Sequence, residues 1–320
     1  MAALADAPPF RTLDLRSVDV ETLAPVLAEQ IAGWRSELDW DFTMSSNLVR
    51  RFVQMRALTG HALVSRSNPS QLAGYSYFVC EDGKGLIGDL YILKQHRTLA
   101  NENALLQTSL DTMWQTPGVR RIESQLLMLT DPSHRQVPYP NRFRSFPRLF
   151  LAAPLADTLP LRKLSSTLSI LPWNENWQEA TGRLIATAYQ NHIDSQINDQ
   201  YRSAAGARRF LTNIVQYPGC GSYFAPASFR AMDEKTLCGA SIASLVASDV
   251  GHITQVCVAP SYQGTGLGYE LMRRSMAALA AHCCRAVSLT VTQENKSAAS
   301  LYRNMGFVER RSFAAYVWEP

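Results

Sequence analysis

The order of strand-like and helix-like runs is nearly the same in the two halves of this 320-residue chain. In residues 166–320 the spacing of apolar residues predicts the order β-α-α-β-β-β-α-β-α-β-β, and residues 10–157 follow much the same plan. A repeat of this length indicates a duplicated domain rather than a solenoid. Strands and helices in this order predict an α/β fold for each half, of a size common for one domain.

The boundary between the halves is predicted from composition. The stretch "APLADTLPLRKLSS" carries two prolines and several polar residues, which is typical of a linker. We therefore expect a first domain over residues 1–157, a linker over residues 158–165 and a second domain over residues 166–320. The run "RLFLAAPLA" is expected to be the last strand of the first domain. "VERRSF" and "AAYVWEP" are expected to be the two last strands of the second domain.

Composition and charge narrow the functional class. The chain is 46% hydrophobic with a net charge of +4, which suits an anionic small ligand and is far from a nucleic-acid-binding signature. Its six cysteines form no C-x-x-C pair and none has metal-ligand spacing to a histidine, which favours a reduced, cytoplasmic chain without a metal. We expect no secretory signal and no membrane association, because no apolar stretch approaches the ~20 residues that a membrane helix needs.

A glycine-rich turn lies between a predicted strand and a predicted helix near the C-terminus, at Gln263–Gly268. Successive main-chain amides at a helix N-terminus bind phosphate, and glycines allow the close approach that this requires. A P-loop is excluded because no lysine follows the glycines, and a Rossmann fingerprint is excluded because its third glycine position holds Tyr269. A tight turn without a ligand is the alternative interpretation.

Two motifs resemble those of the GCN5-related N-acetyltransferase (GNAT) superfamily. The turn "QGTGLG" resembles the family's [Q/R]-x-x-G-x-[G/A] signature, and "NKSAASLYRNMGF" resembles its N-x-x-A-x-x-L-Y-x-x-x-G-F element. The resemblance covers residues 166–320, and it extends to the first half only through the order of elements. It implies two tandem GNAT-like domains of α/β (α+β) class, each with a mixed, mostly antiparallel central sheet flanked by helices. The tandem arrangement is similar to that of mycothiol synthases.

The resemblance also implies where acetyl-CoA binds. Its pyrophosphate would lie on the amides of the glycine turn, and its pantetheine would lie in a gap between two splayed strands. The amide of Val258 would polarise the acetyl carbonyl. The residues expected to contact the cofactor are Val256, Cys257, Val258, Gln263, Gly264, Thr265, Gly266, Leu267, Gly268, Asn295, Ser297 and Tyr302. Asn295 is expected to hydrogen-bond the cofactor, to cap its helix, or to do both.

Two residues are candidates for proton transfer. Tyr302 stands where the family uses a tyrosine to protonate the leaving thiolate, and the alternative is a core aromatic residue. His252 stands where the histone-type enzymes have a glutamate base, and simple alternation places it on the same strand face as Val258. A histidine has an ordinary pKa of ~6.5, which suits a base. The alternative for His252 is a partly exposed side chain near the start of a strand.

The sequence gives weaker signals for the acceptor site than for the cofactor site. Asp194 and Asp199 lie in the loop "NHIDSQINDQYR" and could hold a cationic amine, although a solvated acidic loop explains them as well. Cys257 could be acylated in a two-step route, but direct transfer is the family's usual path, and a buried cysteine is usually inert.

The first half lacks the glycines. Pairing Arg97 with Gln263 places Thr98, Ala100 and Glu102 opposite the three glycines of the second half. An acidic side chain at a phosphate cradle repels the ligand, so we expect the first domain to be retained as structure but to bind no cofactor. A second working site is the alternative.

These observations predict an N-acyltransferase that moves an acetyl group from acetyl-CoA to a primary amine of a small molecule, by direct attack in the C-terminal domain. Acetyl-CoA is the expected co-substrate, and the expected assembly is a monomer, as a pseudo-dimer of domains, or a homodimer. A non-catalytic acyl-CoA-binding or regulatory protein is the alternative. A scaffold for protein interactions is the third possibility, and fold analogy does not choose among acceptors.

Overall fold

The computed structural model describes residues 9–129, 135–155, 159–217 and 219–320. The predicted domain end at Asp157 and the predicted linker start at Thr158 lie outside the described residues. Among the described helices, none is long and apolar enough to cross a membrane. Within the same ranges, no group of three or more His, Cys, Asp or Glu side chains is arranged to hold a metal ion.

The helices and strands follow the predicted order in the first half, whereas the second half has an additional short helix and short strand and one final strand in place of the two predicted. The helices are α1 (Val20–Leu38), α2 (Thr43–Gln54), α3 (Leu99–Gln115), α4 (Gln178–Ala188), α5 (Asp194–Ile197), α6 (Ala204–Gln216), α7 (Leu267–Ala281) and α8 (Lys296–Asn304). The strands are β1 (Phe10–Asp14), β2 (Gly60–Ser65), β3 (Leu72–Glu81), β4 (Lys84–Ile92), β5 (Arg121–Gln125), β6 (Phe143–Pro154), β7 (Leu168–Pro172), β8 (Ser222–Tyr223), β9 (Phe229–Asp233), β10 (Thr236–Ala247), β11 (Val250–Val258), β12 (Ala286–Thr292) and β13 (Val308–Trp318).

The chain divides into two compact units that interleave along the sequence. Within the described residues, the first unit takes its members from Met1–Ser36, Phe42–Phe146 and Phe313–Pro320, and the second from Glu37–Asp41 and Pro147–Ser312. The predicted domains were consecutive, so this division differs from them at both ends of the second unit.

The first unit contains a mixed sheet with the strand order β1-β2-β3-β4-β5-β13. Neighbouring strands are antiparallel, except that β4 and β5 run parallel from Lys84↔Arg121 to Ile87↔Ser124. The helix α3 packs on this sheet, and the shared core includes Leu105, Leu110 and Trp318.

The second unit contains a mixed sheet with the order β7-β9-β10-β11-β12-β6. Only β11 and β12 are parallel, and every other paired neighbour is antiparallel. Residues of α7 and α8 share one buried cluster with Ile253 and Leu289, whereas residues of α4 and α6 share another with Ile242 and Cys257. Helices therefore cover both faces of this sheet, and the predicted fold class is confirmed.

The assignment of the last strands was wrong. The run "RLFLAAPLA" was expected to complete the first sheet, but its residues pair with β12 in the second unit, for example Leu151↔Leu289. The run "AAYVWEP" pairs instead with β5 in the first unit, for example Ala315↔Gln125. "VERRSF" and "AAYVWEP" also form one continuous strand, β13. An apolar run predicts an extended segment, but its composition does not identify the neighbouring strand.

Candidate functional site

A gap opens in the sheet of the second unit between its two parallel strands. The strands β11 and β12 pair over three positions, from Val250↔Ala286 to His252↔Ser288. Beyond this last pair β11 continues to Val258 and β12 to Thr292. The main-chain groups that face the gap therefore have no partner strand, and they are available to other polar groups.

A β-bulge in β11 changes which side chains face each side of the gap. The pairing of β10 with β11 shifts between Ala243↔Ile253 and Ile242↔Gln255, so Thr254 is the extra residue. Val258 packs with the residues of α7, on the face that Ile253 also occupies. The prediction that His252 shares the face of Val258 was wrong, because the extra residue reverses the alternation between them.

The edge of β11 that faces the gap carries polar main-chain groups. The amide of Ala259 donates to the carbonyl oxygen of Cys238 at 2.9 Å, so alternation directs the amide of Val258 away from β10. Two carbonyl oxygens on this edge accept bonds from side chains. Val256 O accepts from the Tyr189 hydroxyl, and Val258 O accepts from Nε2 of Gln263, each at 3.3 Å.

A chain of polar side chains supports this edge, and sequence reasoning did not identify its members. The Tyr201 hydroxyl donates to Oε1 of Gln255 at 3.1 Å, and Nε2 of Gln255 donates to the Tyr189 hydroxyl at 2.9 Å. Both tyrosines are partly buried, and their desolvation raises their pKa values above the ordinary range. The only signal in the sequence was the aromatic content of the loop before α6, which also fits a core.

The glycine turn has the conformation that its sequence predicts. Gly264 has φ +77° and Gly266 has φ +89°, both in the left-handed region, and α7 begins directly after the turn at Leu267. A Cβ atom on Gly264 would meet nothing within 4 Å, so glycine is required by the backbone angle and not by lack of space. Thr265 stabilises the turn by donating its hydroxyl to the carbonyl of Tyr262 at 2.7 Å. The first amides of α7 have no partner within the helix.

An arginine from the predicted linker lies beside this turn. The guanidinium of Arg162 stacks on the ring of Tyr269 at 4.3 Å, and its Cδ would be 3.5 Å from a Cβ on Gly266. The Tyr269 hydroxyl donates to the carbonyl of Pro160 at 2.9 Å, and the backbone of Arg162 hydrogen-bonds the carboxylate of Glu270. The linker therefore packs on the first turn of α7 and places a positive charge there. The glycine motif gives no indication that Arg162 lies beside the turn.

The second predicted motif forms α8 as expected. Oδ1 of Asn295 accepts from the amide of Ala298 at 3.2 Å, so the predicted cap is confirmed, while Nδ2 of Asn295 lies 3.2 Å from Nε2 of His192. Ser297 is exposed in the first turn of the helix. Tyr302 is 6% exposed, and burial together with the nearby charge of Asp194 raises its pKa above the ordinary value. Among the described residues no partner hydrogen-bonds its hydroxyl.

His252 lies at the closed end of the gap. Its ring contacts Trp40 and Phe150, with centroid distances of 5.1 and 6.3 Å, and its Nδ1 is 2.9 Å from Oγ of Ser288. It is 5% exposed, so the alternative of a partly exposed histidine was wrong. Burial lowers the pKa of His252 to about 4, and the ring is therefore neutral at pH 7.

Asp194 is held in the site and is not a solvated loop residue. Its side chain is 14% exposed, and the Thr292 hydroxyl donates to it. Nη1 of Arg148 is 4.0 Å from its Oδ1, and Nδ1 of His192 accepts from its amide at 3.1 Å. Asp199 begins the next short turn, Asp199–Arg202, and is half-buried.

The corresponding turn of the first unit is two residues shorter. Residues 97–98 connect a 3-10 turn to α3, whereas residues 263–266 connect the equivalent turn to α7. The fourth residue of each helix is a buried glutamate, Glu102 or Glu270, and each pairs with an arginine. The predicted alignment of Glu102 with Gly268 was therefore wrong by two positions, because the length of a loop is not visible in an ungapped comparison.

The splayed parallel strands, the left-handed glycine turn and the helix that begins after it are the features that the resemblance to the GNAT superfamily predicts. Residues 187–307 match the sequence model of the Acetyltransferase (GNAT) family. This segment contains the gap, the glycine turn, His252 and Tyr302.

Two solved structures share the fold over nearly the whole chain. A GCN5-related N-acetyltransferase from Sphaerobacter thermophilus has a TM-score of 0.68 at 16% identity, covering 98% of this chain and 96% of its own. A tandem GNAT protein from the clavulanic acid biosynthesis pathway, in a structure without acetyl-CoA, has a TM-score of 0.64 at 15% identity, covering 97% and 98%. At these identities the likeness shows the fold alone. Comparison with curated proteins gave no significant match.

Proposed function

We propose that the second unit is an N-acyltransferase that moves an acetyl group from acetyl-CoA to a primary amine of a small molecule by direct attack. The observation that carries this proposal is the gap beyond His252 and Ser288, with the glycine turn at the end of β11. A gap of this kind accommodates an extended pantetheine chain beside main-chain donors and acceptors, and the turn offers amides to a phosphate group.

The residues around the gap fit coenzyme A. The amide of Gln263 donates to the carbonyl of Pro260, whereas the left-handed glycines leave the amides of Gly264–Gly268 open, and Arg162 adds a fixed positive charge at the turn. The edge of β11 at Val256, Cys257 and Val258 would hydrogen-bond the pantetheine, replacing the bonds that Gln263 and Tyr189 now make to its carbonyls. Asn295 and Ser297 would contact the cofactor from the start of α8. When bound, the cofactor supplies an acetyl thioester as the electrophile.

Transfer forms a C–N bond and breaks the C–S bond of the thioester. In this scheme the amide of Val258 polarises the acetyl carbonyl, because it points into the gap. Tyr302 donates a proton to the departing thiolate, and its raised pKa keeps the phenol protonated until that step. Of the two protons that an ammonium group loses on becoming an amide, one ends on the thiol and the other reaches solvent.

His252 is our candidate for receiving the proton of the attacking amine. Its pKa of about 4 keeps the ring neutral, so it can accept a hydrogen bond, but it holds a proton only briefly before water takes it. Cys257 is buried, and burial raises the pKa of its thiol to about 12. A thiol that stays protonated is a poor nucleophile, which favours direct transfer over an acylated cysteine.

We also propose that the first unit binds no cofactor. Its shorter turn contains no glycine, and the Thr98 side chain accepts a bond from the amide of Asn101 at 3.2 Å, which occupies one of the amides that a phosphate would need. The charge of Glu102 does not explain the proposed absence of cofactor binding, because Glu270 is also the fourth residue of its helix in the second unit.

Calorimetric titration of the full chain with acetyl-CoA tests both proposals. We expect one site per chain, followed by release of free thiol when a panel of primary amines is added. Two sites would contradict the proposal for the first unit. Binding without thiol release from any amine would favour an acyl-CoA-binding or regulatory protein, and the absence of binding would overturn the function proposed for the second unit.

A further inference from the structure

Arg148 and Asp194 form an open ion pair beside the gap. Arg148 belongs to β6 and Asp194 begins α5, and their side chains are only 11% and 14% exposed. The distance from Nη1 to Oδ1 is 4.0 Å, which is too long for a hydrogen bond. Largely buried charges are costly unless they are closely paired, so this separation calls for an explanation.

Two threonines of β12 hold the two charged groups in this open arrangement. Nη2 of Arg148 donates to Oγ1 of Thr290 at 3.1 Å, and the Thr292 hydroxyl donates to Asp194. Both threonines lie beyond Ser288, on the part of β12 that has left β11. Nε of Arg148 is buried, and no described residue accepts a hydrogen bond from it. The guanidinium is therefore fixed in place while some of its hydrogen-bonding capacity is unused.

The open pair is close to the groups that we assign to catalysis. Asp194 accepts from Thr292, the last residue of β12, and its charge contributes to the raised pKa of Tyr302. The loop that carries Asp194 also contacts Asn295 through His192. A ligand between Arg148 and Asp194 would thus lie beside the proposed position of the thioester.

We propose that the acceptor is a zwitterionic amine of the α-amino acid type, whose carboxylate binds Arg148 and whose ammonium group binds Asp194. This inference rests on the acyltransfer proposed above and extends it to a substrate class. The planar guanidinium matches a carboxylate in a bidentate manner, and the carboxylate of Asp194 matches an ammonium group. An α-amino acid carries an ammonium group and a carboxylate on the same carbon atom, so it can pair with both side chains and supply an acceptor to the guanidinium of Arg148, whose Nε has none among the described residues.

The test compares α-amino acids with their carboxamides, which keep the ammonium group and lose the negative charge. Binding of the twenty protein amino acids and the matching carboxamides is measured by calorimetry on the full chain saturated with coenzyme A. We expect at least one amino acid to bind about tenfold or more tightly than its carboxamide. Arg148→Gln should weaken that amino acid by about tenfold to a hundredfold, because a hydrogen bond between charged groups is lost, and should change carboxamide binding by less than about twofold.

The matched control is Arg183→Gln, which removes an exposed arginine of α4 that pairs with Glu179, and it should leave both affinities unchanged. Thr290→Val provides a second variant if Arg148→Gln does not fold. It deletes the hydroxyl that orients Arg148, and it should weaken the amino acid and not the carboxamide.

Three results would overturn the inference. One is equal binding of amino acids and carboxamides by the unmodified chain, and another is the absence of binding by either group. The third is an equal loss of both in Arg148→Gln, which would mean that the pair only stabilises the fold. Acetyl-CoA titration of the same samples separates this failure from failure of the proposed function, because the inference can fail while acetyl-CoA still binds.

Discussion

His252 lies opposite Ser288 in the last pair that joins β11 to β12, with its Nδ1 2.9 Å from the Ser288 hydroxyl. This contact closes the inner end of the gap, since both strands continue beyond it without pairing. The ring packs between Trp40 and Phe150, so in the folded chain it contacts aromatic rings and one hydroxyl instead of water. The same burial that positions the ring keeps it uncharged.

The first prediction concerns stability in acid. His252 has a pKa of about 4 in the folded chain and ~6.5 when unfolded, so the unfolded state takes up a proton more readily as the pH falls between these values. The neutral ring of His252 contributes its full stabilisation of the folded state above about pH 6.5. As the pH falls to about 4 this stabilisation is lost, and the free energy of unfolding decreases by about 3 kcal/mol. Urea unfolding at pH 7 and pH 4.5 should show a smaller pH effect in His252→Asn. His282→Asn, at an exposed histidine, is the control, and an equal change in both variants would contradict the assignment.

The second prediction concerns Gly266, which caps α7 with a left-handed backbone. Gly266→Glu places a carboxylate at the amides proposed to bind phosphate, and we expect the dissociation constant for acetyl-CoA to rise by about tenfold or more. The backbone strain alone costs about 1–2 kcal/mol of stability. Gly118→Glu is a matched control in the first unit, because Gly118 has φ +86° and open space around it. Retained acetyl-CoA affinity in Gly266→Glu would refute the phosphate site.

The third prediction concerns Tyr302. Tyr302→Phe removes only the hydroxyl, and we expect kcat to fall by about 10²–10⁴-fold, the usual contribution of a general acid, with acetyl-CoA affinity kept. Calorimetry and thiol release measure the two quantities separately. Tyr139→Phe, whose hydroxyl donates to Asp111 in the first unit, should leave kcat unchanged. Unchanged kcat in Tyr302→Phe would remove this residue from the mechanism.

The sequence predicted the fold well where local pattern determines structure. The helix expected after the glycine turn is present and begins at Leu267, and the turn has the left-handed angles that its glycines indicate. Asn295 caps α8, and Gly306 follows the helix with φ +87°, as a C′ glycine should. Each of these features depends on residues only a few positions apart, so a single sequence is sufficient to predict it.

Features that depend on distant residues were not predictable in this way. The partner of "RLFLAAPLA" is decided by tertiary pairing, and this run brings Arg148 beside Thr290 and Asp194. The bulge at Thr254 changes the face of His252, although no glycine or proline marks it. Arg162 was counted as part of a linker because its partner, Tyr269, is more than a hundred residues away. The two motifs predicted the glycine turn and the cap of α8, but the side chains that surround them come from elements without any motif.

The fourth prediction concerns Cys257. Burial raises the pKa of its thiol to about 12, so we expect no reaction with iodoacetamide at pH 8 in the folded chain, whereas the exposed Cys283 should react. Incubation with acetyl-CoA in the absence of an amine should leave the mass of the protein unchanged. Mass spectrometry of peptides measures both. An acetyl group on Cys257 would contradict direct transfer and would support a two-step route.

The last prediction concerns Arg162, the linker residue whose guanidinium stacks on Tyr269 beside the glycine turn. A fixed positive charge near the pyrophosphate should contribute a charge-assisted hydrogen bond, so Arg162→Ala should raise the dissociation constant for acetyl-CoA by about tenfold. Arg162→Lys should restore only part of this affinity, since lysine keeps the charge but lacks the planar group that stacks on the ring. Lys163→Ala is the matched control, because Lys163 is the next residue and is also exposed. Calorimetry at low and high salt should show a weaker salt dependence in Arg162→Ala than in the control, because one ionic contact to the ligand is missing. Equal affinities and equal salt dependence in the two variants would mean that the linker packs on α7 without contributing to the binding of coenzyme A.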